Sequence, residues 1–181
     1  MSRYEVRYAA LGGQGIVTAG TLLMGIAVEK EHKHAVESPT ITAAVRGRST
    51  KVDVIISDEK ILYPQATAVD LFVCTFQKPY NKFRDLVKDD AVVVLDTHLV
   101  PEIGDRHNWK LHTIPIINET KSQLGNIVLT SVVTLAITQE LTGIVAYENL
   151  VSYIQDWAPK EFLDLNMKAI GLGRKLARGE V

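Results

Sequence analysis

The residues best able to do chemistry in this chain are a glycine run and a pair of arginines. Gly12-Gly13-Gln14-Gly15 interrupts an apolar stretch, Tyr4 to Ala10, and leads into an apolar helical pattern from Ile16 to about Glu31. The order strand, glycine turn, helix opens a βαβ unit. Such a turn lets the backbone approach an anion closely, and free N–H groups at the helix start can cradle a phosphate. A dinucleotide fingerprint has the form Gly-x-Gly-x-x-Gly, and its first position here is Ala10. The acid that would hold a ribose is Glu37, at a plausible strand end. Three readings of the turn stay open: dinucleotide binding, another phosphate-bearing or anionic ligand, and a purely structural tight turn.

Arg46-Gly47-Arg48 lies on a polar loop that runs from Ser38-Pro39 to Ser49 without apolar periodicity. Two guanidinium groups flanking a glycine suit bidentate binding of phosphate or carboxylate. The alternative is a solvated loop carrying surface charge, although long structureless loops in compact domains tend to be functional.

The remaining candidates are weaker. Cys74 sits inside Leu71 to Phe76 with no basic neighbour, so it reads as a small buried hydrophobe and not as a nucleophile. His32 and His34 do not share a helix face, and His98, His107 and His112 are scattered, so no metal site is expected. Asp96-Thr97-His98 closes a strand, where ligand sites of α/β folds collect. No Gly-x-Ser-x-Gly elbow or paired-carboxylate motif is present. These residues do not make a self-sufficient enzyme.

The elements that must position these groups follow from the pattern. His34 to Glu37 reads as a short strand, and Lys51 to Ser57 as another. Leu71 to Phe76 and Ala91 to Asp96 are continuous apolar runs, suited to strands covered on both faces of a largely parallel sheet. The polar, partly helical stretch from Lys78 to Lys88 makes the crossover between them. Trp109 to Ile116 is a further strand, and helices follow over about Ile127 to Leu141, Tyr147 to Ile154 and Lys160 to Ala177. For the last, Asp156, Pro159 and Glu161 mark the start, and Arg174, Lys175, Arg178 and Gly179 mark the end. Residues 1–181 thus read as a single α/β domain. It has a mostly parallel, Rossmann-like central sheet flanked by helices, and a helical C-terminal third.

Composition removes several function classes. With 20 Lys+Arg against 21 Asp+Glu, there is no electrostatic case for a nucleic-acid groove or a polybasic membrane patch. One cysteine excludes a disulfide, a Cys-rich zinc site or an iron–sulfur cluster held by this chain alone. The opening Met1-Ser2-Arg3-Tyr4-Glu5 is unlike a signal peptide, and Ile127 to Leu141 is too polar and too short to span a bilayer. A cytoplasmic protein is expected.

Taken together, these segments resemble one family. Gly12-Gly13-Gln14-Gly15-Ile16-Val17 with Ala19-Gly20 and Leu23 is similar to its opening motif, and Ser38-Pro39 with Val45-Arg46-Gly47 and Ser49 to its arginine–glycine loop. Ile55 to Ile61 with Pro64 and Asp70, then Gly125-Asn126, and the closing Leu165 to Ala169 with Gly171 complete the likeness. The family is the gamma-type subunit of the 2-oxoacid:ferredoxin oxidoreductases, and the Gln77 to Lys82 region looks most like its 2-oxoglutarate branch. The resemblance implies a multi-subunit enzyme that oxidatively decarboxylates a 2-oxoacid, forms an acyl-CoA and passes electrons to ferredoxin or a similar acceptor. It places thiamine diphosphate and iron–sulfur clusters mainly in partners: alpha- and beta-type subunits and a ferredoxin-like subunit. It gives this chain a part on the CoA side, with Gly12, Gly13, Gln14 and Gly15 forming the turn and Arg46 and Gly47 a loop toward a partner or anionic ligand.

Four positions depart from the family pattern. Ala10 and Arg48 stand where glycines are usual, and Ser131 and Ala136 where Asn and Gly are common. Arg48 matters most, because a non-glycine residue is costly at positive φ. The reading from another class is an autonomous nucleotide-binding module that regulates or scaffolds. A free-standing NAD-dependent dehydrogenase is disfavoured by Ala10 and by the missing acid–base set.

Overall fold

A computed structural model describes residues 3–40 and 47–181. The chain enters through β1 (Tyr4–Leu11), turns at the glycines into α1 (Ile16–Glu29), and returns as β2 (His34–Pro39) and β3 (Ser49–Ser57). β4 (Val69–Cys74), the short α2 (Gln77–Phe83), β5 (Val87–Asp96) and β6 (Lys110–Ile114) complete the strands. α3 (Ile116–Leu124), α4 (Thr130–Thr142), α5 (Tyr147–Trp157) and α6 (Leu163–Arg178) close the chain.

The six strands lie in the order β2-β3-β1-β4-β5-β6. β1, β4, β5 and β6 pair in parallel, whereas β3 runs antiparallel to both β1 and β2. The sheet is therefore mostly parallel, with one reversed strand inserted beside β1. Apolar spacing dictated this only in part, because a buried run reads alike in either direction.

Alternation along the strands builds two cores. Val6, Tyr8 and Ala10 of β1, Val52, Val54 and Ile56 of β3, and Leu71 and Val73 of β4 face a cluster shared with α1, α4, α5 and α6. In α1 the apolar positions Ile16, Ala19, Leu22, Leu23, Ile26 and Ala27 recur at helical spacing and lie against the sheet. On the other face Phe72, Cys74, Val93 and Leu95 pack with Tyr80 and Phe83 of α2. Ion pairs fill part of that thinner layer. Arg7, 4% exposed, donates to Asp53 at 2.7 and 2.9 Å and to the carbonyls of Phe83 and Asp85.

Several boundaries differ from the sequence reading. Ser38 and Pro39, expected in a loop, extend β2. α3 follows β6 directly within what reads as strand, and the helix expected from Ile127 opens with a 3-10 turn, Ile127–Leu129, capped by the Asn126 side chain. Asp156 does not mark the start of α6: it lies in α5 and pairs with Lys30 at 2.6 Å. A 3-10 turn, Lys160–Phe162, leads into α6 instead. At its far end Gly179 takes the left-handed cap, while Arg174 and Arg178 each reach Glu140 of α4 at 2.7 Å. Those two guanidinium groups, Arg178 first, hold the Glu140 carboxyl below the usual range.

Candidate functional site

The site is set by a change of direction in the sheet. α1, which follows β1, packs on one face, and α2, which follows β4, packs on the other. The carboxyl ends of these adjacent parallel strands therefore flank a topological switch point, where open α/β sheets bind ligands. Gly12 to Gly15 and Thr75 to Gln77 form its mouth. The Thr75 hydroxyl donates to Gln14 Oε1 at 3.3 Å across the crevice, and the Thr75 N–H donates to the Ala9 carbonyl.

Two glycines of the turn are required by conformation. Gly13 and Gly15 have φ of 100° and 72°. A side chain at Gly15 would also lie 3.2 Å from the Val128 carbonyl oxygen and 3.3 Å from Ser131 Cβ, so this glycine admits the start of α4. Gly15 also ends the turn in the left-handed conformation, and among the described residues no side chain caps the amino end of α1. The Gly12 N–H is engaged, donating to the Arg48 carbonyl at 2.9 Å.

That bond brings the two sequence-predicted features together: the glycine turn is tied to the arginine loop. Arg46 lies outside the described residues. Gly47 takes φ of 71°, whereas Arg48 is not among the described residues with positive φ. The conformational objection to Arg48 is thus removed, since the left-handed bend falls on Gly47. Arg48 and Ser49 line a cavity of about 320 Å³ together with Lys78 and Lys82 of α2. Ser49 and the Gln77 to Lys82 region were noted in the sequence only as parts of the family likeness, and their meeting around one cavity with Arg48 carries no motif that would have announced it.

A second cavity, of about 290 Å³, lies beyond Gly15 and is lined by Asn126, Val128, Ser131, Trp157, Phe162 and Asn166 among others. Its rim leaves Val128, Trp157 and Phe162 partly exposed. Ser131, where the family pattern has Asn, donates to the Val128 carbonyl at 3.0 Å and so spends its hydroxyl on its own turn.

The other candidates stand apart. Glu37 pairs across β3 with Val54, which pairs with Val6. It is thus level with Val6, and the turn begins beyond Leu11, roughly 17 Å farther along the strand direction. β3 also separates β2 from β1, so Glu37 cannot grip a ribose whose phosphates sit on the turn. Asp96, 1% exposed, accepts from the N–H groups of His98, Leu99 and Ile117 and so shapes the chain after β5 and the start of α3. Cys74 is fully buried, and burial pushes its thiol up to about 12. Among the described residues no three metal-ligating side chains gather, and no helix is long and apolar enough to cross a membrane.

Comparison with known proteins gives a consistent picture. The family model described as pyruvate ferredoxin/flavodoxin oxidoreductase matches residues 5–176. The 2-oxoglutarate synthase subunit KorC of Methanocaldococcus jannaschii is 32% identical, over 97% of this chain and 95% of its own length. The gamma subunit of a keto/oxoacid ferredoxin oxidoreductase from Geobacter sulfurreducens superposes with a TM-score of 0.89 at 30% identity, covering 99% of this chain and 98% of that one. The 2-oxoglutarate:ferredoxin oxidoreductase of Magnetococcus marinus, solved with 2-oxoglutarate, coenzyme A and succinyl-CoA bound, shares the fold with a TM-score of 0.85 at 21% identity. That match spans 99% of this chain and 32% of the larger one.

Proposed function

The chain belongs to the pyruvate ferredoxin/flavodoxin oxidoreductase family as a gamma subunit of the 2-oxoacid:ferredoxin oxidoreductases, and on that premise we propose that it serves a 2-oxoglutarate-oxidising enzyme. In this reading the assembled complex decarboxylates 2-oxoglutarate, captures the acyl group on CoA and passes the electrons to ferredoxin or a similar acceptor. The observation that carries it is the end-to-end likeness to a subunit named for 2-oxoglutarate synthase.

The division of labour rests on this chain's own residues. Its one sulfhydryl, Cys74, is buried among apolar side chains, so the residues present do not fit an iron–sulfur cluster. Redox centres and thiamine diphosphate are assigned to alpha- and beta-type partners and a ferredoxin-like subunit, all in the cytoplasm. The isolated chain is inactive. What it contributes is the surface around the switch point: Gly12, Gly13, Gln14 and Gly15 in the turn, with Arg46 and Gly47 in the loop, facing CoA or a partner.

Affinity purification of the tagged chain from its native source, with mass spectrometry and a CoA-dependent acceptor-reduction assay, tests this. The expected result is co-purification with the thiamine-binding subunits and faster turnover of 2-oxoglutarate than of pyruvate. Recovery of the chain alone, binding a nucleotide tightly, would establish the autonomous module instead, and preference for pyruvate would reassign the substrate.

A further inference from the structure

We propose that β2 is a self-pairing edge: two copies of this chain join antiparallel along it, about a two-fold axis at Ala35, so that their sheets become one. β2 closes the sheet beside β3, and among the described residues no strand pairs with its outer side. The register tells which backbone groups face outward. Thr40, one residue past the Pro39–Val52 pair, donates its N–H to the Lys51 carbonyl. Val36 and Ser38, in phase with it, therefore turn their backbone groups toward β3. Ala35 and Glu37, out of phase, direct theirs away from the sheet.

Charge selects a second copy as the occupant. Lys33 and Glu37 stand at equal distances on either side of Ala35, and strand alternation puts all three on one face. An antiparallel pairing centred on Ala35 sets Lys33 of each copy opposite Glu37 of the other, the reciprocity that a two-fold interface requires. In that register the Ala35 N–H donates to the second copy's Ala35 carbonyl, and the Glu37 N–H to its Lys33 carbonyl. Within one copy both charges are left over. Among the described residues Lys33 forms no ion pair, and Glu37 keeps a buried carboxylate oxygen, Oε2, without a hydrogen-bond partner. Such an oxygen calls for a donor. The other edge, β6, carries Lys110 and His112 but no carboxylate, so it offers no such match. α1 adds apolar surface at the same place. Gly15 abuts the start of α4 and Gly20 abuts Val52 of β3, so helical spacing turns Val17, Met24 and Val28 away from α4 and over β2. Val28 is 43% exposed, and the two-fold brings these stripes of the two copies face to face.

This inference goes beyond the subunit role and does not rest on it, since the contact joins identical chains. Sedimentation velocity of the full chain over a concentration series tests it. A species of twice the chain mass should grow with concentration. Lys33→Glu should weaken that dimer about tenfold, because like charges then face each other on both sides of the axis. Adding Glu37→Lys should restore it, because the exchanged charges meet again. Ala35→Pro should abolish it: the ring removes an outward N–H and is tolerated on an edge strand, so the ladder to β3 is kept. Thermal melting checks that each variant is folded, and the charge exchange decides the matter should Ala35→Pro unfold the chain. Hydrogen exchange gives a second readout, with the Ala35 and Glu37 amides fast in the dilute chain and slowed in the dimer. A chain that stays monomeric at every concentration overturns the interface. So does a dimer indifferent to Lys33→Glu and Ala35→Pro. Neither result alters which subunits co-purify with the chain.

Discussion

The Cys74 thiol donates to the Phe76 carbonyl at 3.3 Å among the apolar side chains of the thinner layer, and burial is the main reason its pKa rises from 9.0 to about 12. The negative charge of Asp96 adds to the rise, while backbone hydrogen bonds oppose it. The folded chain therefore keeps this proton where the unfolded chain has released it. Its contribution is complete below pH 9.0 and is lost as pH rises toward about 12. Thermal melts of wild type and Cys74→Ala between neutral and strongly alkaline pH should show a shallower alkaline decline in the variant, on a lower baseline from the lost packing. Parallel declines would show that the thiol does not contribute. At this scale the sequence was legible where a backbone need leaves a residue signature. Gly15 and Gly47 were readable because left-handed φ selects glycine. The buried Ser49 hydroxyl, without a hydrogen-bond partner among the described residues, was not, since that is a property of its surroundings and leaves no trace in the residue type.

α4 and α6 cross where side chains nearly vanish. A β-carbon on Gly173 would lie 2.7 Å from Ala136 Cβ and closer still to the Val133 carbonyl oxygen, which belongs to backbone and cannot swing away. Ala136, where the family pattern has glycine, is thus accommodated by Gly173 opposite it. Gly173→Ala is expected to cost about 1–3 kcal/mol by forcing the helices apart. Gly171→Ala, two positions earlier with nothing within 4 Å of its new carbon, should stabilise by roughly 0.5–1 kcal/mol through helix propensity. Urea denaturation of both variants checks the pair, and equal effects would contradict the close crossing. Long elements were legible in sequence: β4 and β5 as solid apolar runs, and α1 and α6 by their spacing and flanking residues. α3 was not, because it is short, largely polar and buries only Ile116 and Thr120. Neither was the reversal of β3, since strand direction is decided by which neighbour is met.

Over the whole molecule the layers are unequal. Four helices share the larger core on one face, and the other face has the short α2 with loop residues such as Val100. β2 and β6 are the two edges of the sheet. Native-state hydrogen exchange should accordingly find the slowest amides in β1 and β4, which are paired on both sides, and faster exchange in β2 and β6. Protection in β6 equal to that in β1 would contradict this ordering. The architecture was legible as an α/β domain with a helical end. Its switch point was not, because that depends on which face each helix takes, and both faces of β4 are equally apolar. The reversed β3 carries one more consequence. Since β2 and β3 are antiparallel neighbours, the chain leaves β2 and enters β3 at the same end of the sheet, beside the end of β1. Insertions there need not disturb a helix or the strand register. Natural variation can therefore reshape what this end of the molecule recognises while the sheet that supports it is inherited unchanged.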